Sequence, residues 1–309
     1  MSERVSVAIA TYNGAKYLRE QLDSLYTQTR IPDEVVVSDD NSSDGTIKIL
    51  EEYKQRYGLI YSINSKSLGV NKNFEKAIRA CSGDYIIICD QDDIWFPRKI
   101  ELTLSKLLQV QGDNPALVSS QCLNSDENCI PVSNNTFITK DTFGYAATLL
   151  YPAGVSQGCT MMFNRKLLNT LHSFPENILY DVYIGLVSAS IGVKYNLAES
   201  LMYYRHHGKQ VTSSMHSKFS IAQRILYRLH IPLGTFEIPN ERFSAFQTIF
   251  HDYREKFTPQ VASLYDLLLK LSNERSRWKK IGLVWRIKEY SIKERLNYTI
   301  TIIVTPKQR

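Results

Sequence analysis

Short apolar runs alternate with stretches of helical spacing through the first 110 residues. This alternation restricts the chain to an α/β fold, a mainly parallel sheet with helices on both faces. Val5 to Ala10 reads as a buried strand, and after Tyr12-Asn13-Gly14 the apolar positions Leu18, Leu22 and Leu25 return at helical intervals. Glu34 to Ser38 makes a second strand, and Ile47, Leu50 and Tyr53 mark a second helix beginning near Asp44. A strand at 59–63, a helix at 71–80, a strand from Tyr85 to Cys89 and a helix at 98–110 continue the pattern.

Beyond residue 111 the alternation weakens, because Asn114, Pro115, Asn124, Asn134 and Asn135 punctuate what reads as a series of short strands. Gln157 to Phe163 is expected to form one more strand, followed by helices near 166–171 and 181–191, and the chain turns mostly helical from about Ser217. Apolar residues make up 43% of the chain and charged residues 22%, the balance of an ordinary globular protein. The five cysteines contain no Cys-x-x-Cys pair and leave an odd one over, so neither a disulfide framework nor a zinc knuckle is expected. A reducing, cytoplasmic compartment fits them. Neither a signal-peptide core nor an uncharged apolar run long enough to cross a bilayer occurs, so no membrane span is expected.

The net charge of +6 is unevenly placed. From Arg275 to Arg309 there are ten Lys/Arg against two Asp/Glu, a net +8 that leaves residues 1–274 at −2. Basicity confined to a tail argues against a nucleic acid as the partner, since such a partner calls for basic surface around the working site.

Two of the strongest strand patterns end in carboxylates: Asp39-Asp40 after the second, and Asp90-Gln91-Asp92-Asp93 after the fourth. In an open α/β sheet, ligands sit at the carboxyl ends of the strands. Five carboxylates gathered at one edge would repel one another unless a cation or hydrogen-bond donors offset them. Carboxylate and phosphate oxygens together suit Mg²⁺ or Mn²⁺. On their own, Asp39 to Thr46 would also serve as a turn and helix cap.

Ile9-Ala10-Thr11-Tyr12-Asn13, Leu22-x-Ser24-Leu25-x-x-Gln28, Val35-Val36-Val37-Ser38-Asp39-Asp40-x-Ser42-Ser43-Asp44-Gly45-Thr46, Gly69, and Gly83-Asp84-Tyr85 leading into Asp90-x-Asp92-Asp93 occur in this order. Together they resemble the family 2 glycosyltransferases of the GT-A fold. The resemblance implies a nucleotide-sugar-binding half over residues 1–110, an acceptor-side half over 111–215 and a helical basic extension over 216–309. It implies that Ala10, Thr11 and Tyr12 line a nucleobase pocket, that Asp40 accepts from the base, and that Asn73 contacts the nucleoside. Asp92 and Asp93 would take the ribose and the metal, with Asp90 completing the D-x-D on the donor side.

An inverting transfer needs a carboxylate that takes the proton of the acceptor hydroxyl. Asp181 opens the helical run from Val182 to Ile191, where the family places its base; a helix cap is the plainer reading of the same residue. Tyr180 stands where relatives carry Glu or His. Gln157-Gly158-Cys159-Thr160 resembles the acceptor-side strand of rhamnosyltransferase-like members, with Gly158 facing substrate. Tyr203-Tyr204-Arg205-His206-His207-Gly208 resembles their Y-R-x-H-G segment, in which Arg205 would meet substrate and His207 the diphosphate or the metal. Lys209-Gln210 departs from the commoner Asn-Asn.

In the tail, Ile281, Trp285, Ile292, Leu296, Ile300 and Ile303 form a stripe with Arg286, Lys288, Lys293 and Arg295 interleaved. A helix of this kind over 281–304 would lie on an anionic membrane, at the inner face of the plasma membrane, or pack on the catalytic domain or on a second subunit as a homodimer.

The expected activity is inverting transfer of a hexose, rhamnose among the candidates, from a dTDP-, UDP- or GDP-sugar to a glycan or lipid-linked saccharide in surface polysaccharide synthesis. A metal-dependent nucleotidyltransferase would need a glycine-rich basic loop after the first strand, and Ala10 to Gly14 supplies none. Nicotinamide chemistry is disfavoured by the absence of G-x-G-x-x-G, and a non-catalytic sugar-nucleotide binder by the retained Asp40, Asp92, Asp93 and Asp181.

Overall fold

In the computed structural model of the chain, residues 3–133, 142–143, 157–208 and 240–288 are described, with positions 292, 295, 296 and 299. The chain divides into two compact units, one within Met1–Gly208 and the other comprising Lys209–Arg309 with Leu150–Pro152.

The first unit is built on one ten-stranded sheet. Its strands are β1 (Val5–Thr11), β2 (Glu34–Asp39), β3 (Ile60–Ile63), β4 (Tyr85–Cys89), β5 (Ile94–Trp95), β6 (Ala116–Ser125), β7 (Pro131–Ser133), β8 (Thr142–Phe143), β9 (Met161–Asn164) and β10 (Val193–Arg205). They lie in the order β3-β2-β1-β4-β9-β6-β10-β5, with β7 beside β6 and β8 beside β10. The first four strands are parallel, β9 runs against both β4 and β6, and β10 returns parallel to β6. The sheet is therefore mixed, and its parallel part, β1 to β4, is the part that the alternation implies.

Burial on both faces explains why the early strands read as continuous apolar runs: Val5, Val7, Ala8 and Ile9 of β1 are all 0% exposed. Around the sheet lie α1 (Leu18–Tyr26), α2 (Thr46–Tyr57), α3 (Val70–Ala80), α4 (Lys99–Gln111), α5 (Arg165–Thr170) and α6 (Tyr180–Ile191). Leu18, Leu22 and Leu25 turn one stripe of α1 into the core, and each fully buried leucine contributes about 1.5–3 kcal/mol. Gly58, at φ 74°, takes the left-handed conformation that ends α2.

Two expectations for this unit change, and one strand carries no expectation at all. Gln157 to Phe163 is not one strand: Gly158–Thr160 forms a single 3₁₀ turn and only Met161–Asn164 is extended. The asparagines do not chop the segment after Pro115 into fragments, since β6 runs ten residues through Asn124. Residues 193–205, which carry no clean alternation, form the longest strand. Lys194 and Asn196 enter the sheet buried because the lysine donates to the asparagine carbonyl oxygen at 2.6 Å.

The second unit holds α7 (Asn240–Tyr253), α8 (Pro259–Asn273) and α9 (Arg277–Arg286). Thr258 caps α8 by accepting from the Val261 N–H, and Pro259 occupies the first turn, where a missing N–H costs nothing. Phe246 and Phe257 meet Tyr265 with ring centres 5.6 and 4.8 Å apart. The helical start near Ser217 lies outside the described residues, as do Lys293, Ile300 and Ile303 of the expected stripe. Within the stripe, α9 stops at Arg286 with Ile287 extended, so 281–304 is not one unbroken helix.

Candidate active site

The carboxyl ends of β1, β2, β4, β6 and β10 share one edge of the sheet, and the strand order reverses between β1 and β4. A reversal leaves two neighbouring loops diverging, which opens a crevice at the strand ends. Tyr12 follows β1 and Asp90 follows β4, so the two flank that crevice. The ring of Tyr12 is 54% exposed and available to a ligand, whereas Ala10 is half-buried and Thr11 is buried.

Gln91, given no role by the sequence, joins the two loops: its amide oxygen accepts from the Tyr12 N–H at 2.9 Å and its amide nitrogen donates to the Tyr12 carbonyl at 3.1 Å. Gly14 leaves room for this clasp, because a Cβ there would stand 2.2 Å from the Gln91 amide oxygen.

Asp40 is engaged within the chain. Its carboxylate accepts from Asn64 Nδ2 (2.9 Å), Ser67 Oγ (2.7 Å), Leu68 N (2.7 Å) and Gly69 N (3.0 Å). A carboxylate has about four lone-pair positions, so accepting from a nucleobase would require one of these donors to let go. Burial pushes the carboxyl up, but the four donors outweigh it and hold the group below its ordinary value. Asn73, expected at the nucleoside, is likewise buried: it donates to the Thr11 carbonyl at 3.2 Å and accepts from Asn64 at 3.0 Å. Both residues fasten the 64–69 loop to the sheet edge. No local pattern in the sequence announces the donors of that loop.

The acidic loop divides. Asp92 turns to His207, whose Nε2 lies 2.8 Å from its carboxylate. Asp93 turns inward, 0% exposed, with one oxygen accepting from the Arg205 N–H at 3.1 Å and the other buried without a hydrogen-bond partner. Asp92, Asp93 and His207 therefore do not converge as a ligand set. Among the described residues the group that can converge is Asp90, Asp93 and Cys159, whose ligand atoms lie within 4.8 Å of one another. Cys159 comes from the 3₁₀ turn beside β4, a proximity that only the three-dimensional fold creates.

Arg205 is engaged within the chain as well. Its guanidinium donates to the Asp92 carbonyl at 2.8 Å, to the Glu127 carbonyl and to Glu20, and it stacks over Tyr17. It is 2% exposed and clamps the acidic loop from behind.

Beneath the loop, the buried Lys99 donates to the Cys159 carbonyl at 2.7 Å and lies 4.6 Å from the Trp95 ring centre. Its position one residue before Ile100, on the inward face with Thr103 and Leu107, was the only sequence sign of it.

Asp181 stands in the first turn of α6, one position past the helix start and not at the cap, which is Leu179. Its carboxylate accepts from the Gly158 N–H at 3.3 Å and the Val182 N–H at 2.7 Å. Next to it Tyr180 is buried, stacks on Phe74 with ring centres 4.1 Å apart, and receives no room to move because Gly158 abuts its hydroxyl. A Cβ on Gly158 would lie 2.0 Å from that oxygen. Gly158→Ala is therefore expected to cost about 1–3 kcal/mol through over-packing. Urea unfolding measures it, and an unchanged midpoint would mean that Tyr180 is not fixed where the structure puts it.

The electrostatics of the cluster share one sign. Loss of water, then the charges of Asp92 and Asp181, push the Asp90 carboxyl up to about 7. Burial, then Asp90 and Asp92, push Asp93 well above the usual carboxylate range. Burial raises Asp181 against its two backbone donors. These groups carry more negative charge than the surrounding chain offsets, which is the condition a bound cation reverses. The donor set fits: an oxygen of Asp93 without a partner, the carboxylate of Asp90, and the Cys159 thiol, which burial keeps protonated and so a weak ligand.

A sheet that reverses order at β1/β4, with an acidic loop at the reversal and a second carboxylate on a later helix, defines the GT-A class of glycosyltransferases. The fold of solved members agrees. Staphylococcus aureus TarS, residues 1–349 in complex with UDP-GlcNAc, superposes with a TM-score of 0.60 at 18% identity over 96% of this chain and 79% of that one. The mannosyltransferase PcManGT of Pyrobaculum calidifontis, in complex with GDP-Man and Mn²⁺, superposes with a TM-score of 0.52 at 18% identity over 97% and 84%. A sequence model of glycosyl transferase family 2 matches residues 6–171, and the chain belongs to that family.

Among curated relatives, the dTDP-rhamnosyl transferase RfbG of Shigella flexneri is 24% identical over 226 residues, 68% of this chain and 75% of the relative. An uncharacterised protein of Mycobacterium bovis is 34% identical over 114 residues, 36% of this chain and 32% of the relative. The match thus spans about a third of the length of that mycobacterial protein.

Proposed function

We propose that the protein transfers a hexose, with inversion, from a nucleoside diphosphate sugar to a saccharide or lipid-linked saccharide acceptor in surface polysaccharide synthesis. The observation that carries the reading is the Asp181 carboxylate, lodged at the Gly158 turn on the same sheet edge as Asp90 and Asp93, where its charge acts on Asp90. Residues 1–110 carry the donor and residues 111–215 the acceptor. Likeness to a dTDP-rhamnosyl transferase supports rhamnose as the sugar. Five cysteines with free thiols support a reducing, cytoplasmic setting.

In this reading Tyr12 packs against the base, held in place by the Gln91 clasp. Asp90 and Asp93 hold the divalent cation, Mg²⁺ or Mn²⁺, and Asp92 with His207 lies beside them toward the ribose and diphosphate. The cation supplies neutralisation of the charge that builds on the departing diphosphate. Asp181 takes the proton of the acceptor hydroxyl as its oxygen bonds to the anomeric carbon and the bond from that carbon to the diphosphate oxygen breaks. The raised Asp181 carboxyl makes it a better proton acceptor than a solvated carboxylate.

Thermal unfolding with dTDP-, UDP- and GDP-sugars, with Mn²⁺ or Mg²⁺ and again with chelator, tests it. One nucleotide series is expected to raise the midpoint only when metal is present; at a hundredfold excess over Kd the gain is about 2.7 kcal/mol. No shift with any nucleotide in the presence of either ion would overturn the reading.

A further inference from the structure

Two open clefts run along the seam of α8 and α9, of about 680 and 470 Å³. Among the described residues, Lys270, Lys279, Arg286, Lys288 and Arg295 line them against two carboxylates, Asp266 and Glu274. Among the described residues, none of these five cations is within ion-pair distance of an acidic side chain. Arg295 also keeps a buried Nε without a hydrogen-bond partner. Like charges held close together and left unneutralised favour an anion.

The apolar side chains beside the clefts point the wrong way for a helix that only packs on its neighbour. Val284 and Ile287 are 0% exposed and do the packing, yet Trp278 is 78% exposed and Trp285 42%. Seven residues apart, the two tryptophans lie on one side of α9, where Trp285 also borders the smaller cleft and donates its indole N–H to Thr299 Oγ1 at 3.1 Å, and Lys279 and Arg286 follow each in sequence. Ile292 and Leu296, further along, are 69% and 48% exposed. Water gives no reason to present the indole of Trp278. The boundary of a bilayer does, because an indole sits at headgroup level with its ring toward the acyl chains while neighbouring Lys and Arg meet lipid phosphates.

The geometry points to an anionic membrane-docking face on the helical unit, in which Trp278 and Trp285 enter the interface and the α8–α9 clefts receive phospholipid headgroup phosphates. This inference stands apart from the transfer reaction, since it uses no residue of the acidic site. It also relocates the docking element from a helix through 281–304 to α9 and the residues just after it.

The test is flotation of the full chain with vesicles of phosphatidylcholine alone and of phosphatidylcholine mixed with phosphatidylglycerol, followed by tryptophan emission. Binding is expected only with phosphatidylglycerol present, with a blue shift, and to weaken with salt. Trp278→Ala is expected to reduce binding and most of the shift, and Lys279→Glu with Arg286→Glu to weaken binding about tenfold or more, both with unchanged thermal unfolding. Equal binding to both vesicles, no binding, or variants that bind like the parent would overturn it. Stabilisation by inorganic diphosphate without vesicle binding would overturn it in favour of a soluble phosphate ligand. A dimer in size-exclusion chromatography that Trp278→Ala disperses, again without vesicle binding, would overturn it in favour of self-association.

Discussion

Asp181→Asn is expected to lower kcat by about 10² to 10⁴ while leaving the affinity for the nucleotide sugar within about twofold. The amide keeps the shape of the carboxylate, and its one oxygen can still accept from the Val182 N–H, the shorter of the two bonds, at the loss of the longer one from the Gly158 N–H. What it cannot do is take a proton. A helix first turn also favours a negative side chain, so a purely structural Asp181 would instead cost stability, about 0.3–1 kcal/mol. Steady-state rates measured beside donor binding by calorimetry separate the two roles. Retained kcat with a lowered unfolding midpoint would remove Asp181 from the chemistry.

Asp93→Asn is expected to make the metal-free protein more stable above neutrality and, at the same time, to lower metal-dependent transfer about 10²-fold or more. Asp93 is buried, one of its oxygens is without a partner, and its carboxyl is driven up by burial and by Asp90 and Asp92. A carboxyl whose value folding raises binds its proton more tightly in the folded chain. The cost of its charge is therefore absent below the unfolded value near 4 and grows as pH rises toward the raised folded value. In chelator, the parent should lose stability from mildly acidic pH to about pH 8, and the variant should lose less. The asparagine oxygen can keep the Arg205 N–H bond, and its amide can donate toward Asp90. Thermal unfolding at both pH values, with and without Mn²⁺, reads all of this. A variant less stable at high pH without metal, or one that responds to Mn²⁺ like the parent, would refute the role given to Asp93.

Much of the donor side was legible because its physics is local. β1 announces itself through residues buried on both faces, and Asp90 to Asp93 stand out because carboxylates directly follow an apolar strand. What the sequence could not carry was how side chains far apart use one another's valence. Asp40 looked available because its donors, Asn64 to Gly69, lie on a loop without a pattern of its own. Cys159 and Lys99 joined the acidic loop only through tertiary contact, and Asp92 and Asp93, adjacent in sequence, turned to different partners. β10 escaped notice because Lys194 and Asn196 break its alternation while satisfying each other inside the sheet. In the tail, apolar spacing left open whether the stripe would pack or meet a membrane, and it did not tell that Val284 would be buried while Trp285 stayed 42% exposed.

The Arg205 clamp sets an order of events for the newly made chain. Asp93 and Asp92 emerge from the ribosome more than a hundred residues before the strand whose last residue holds them, and β5 has β10 as its partner in the sheet. The donor-side strands can pair as soon as they are synthesised, but the acidic loop keeps a loose end until β10 is inserted beside β6. A contact of that sequence separation closes slowly, because the intervening chain must first be ordered. The growing polypeptide thus spends the synthesis of half its first unit with the Asp92–Asp93 loop unanchored, and that loop takes its final shape with the last strand instead of with the motif that encodes it.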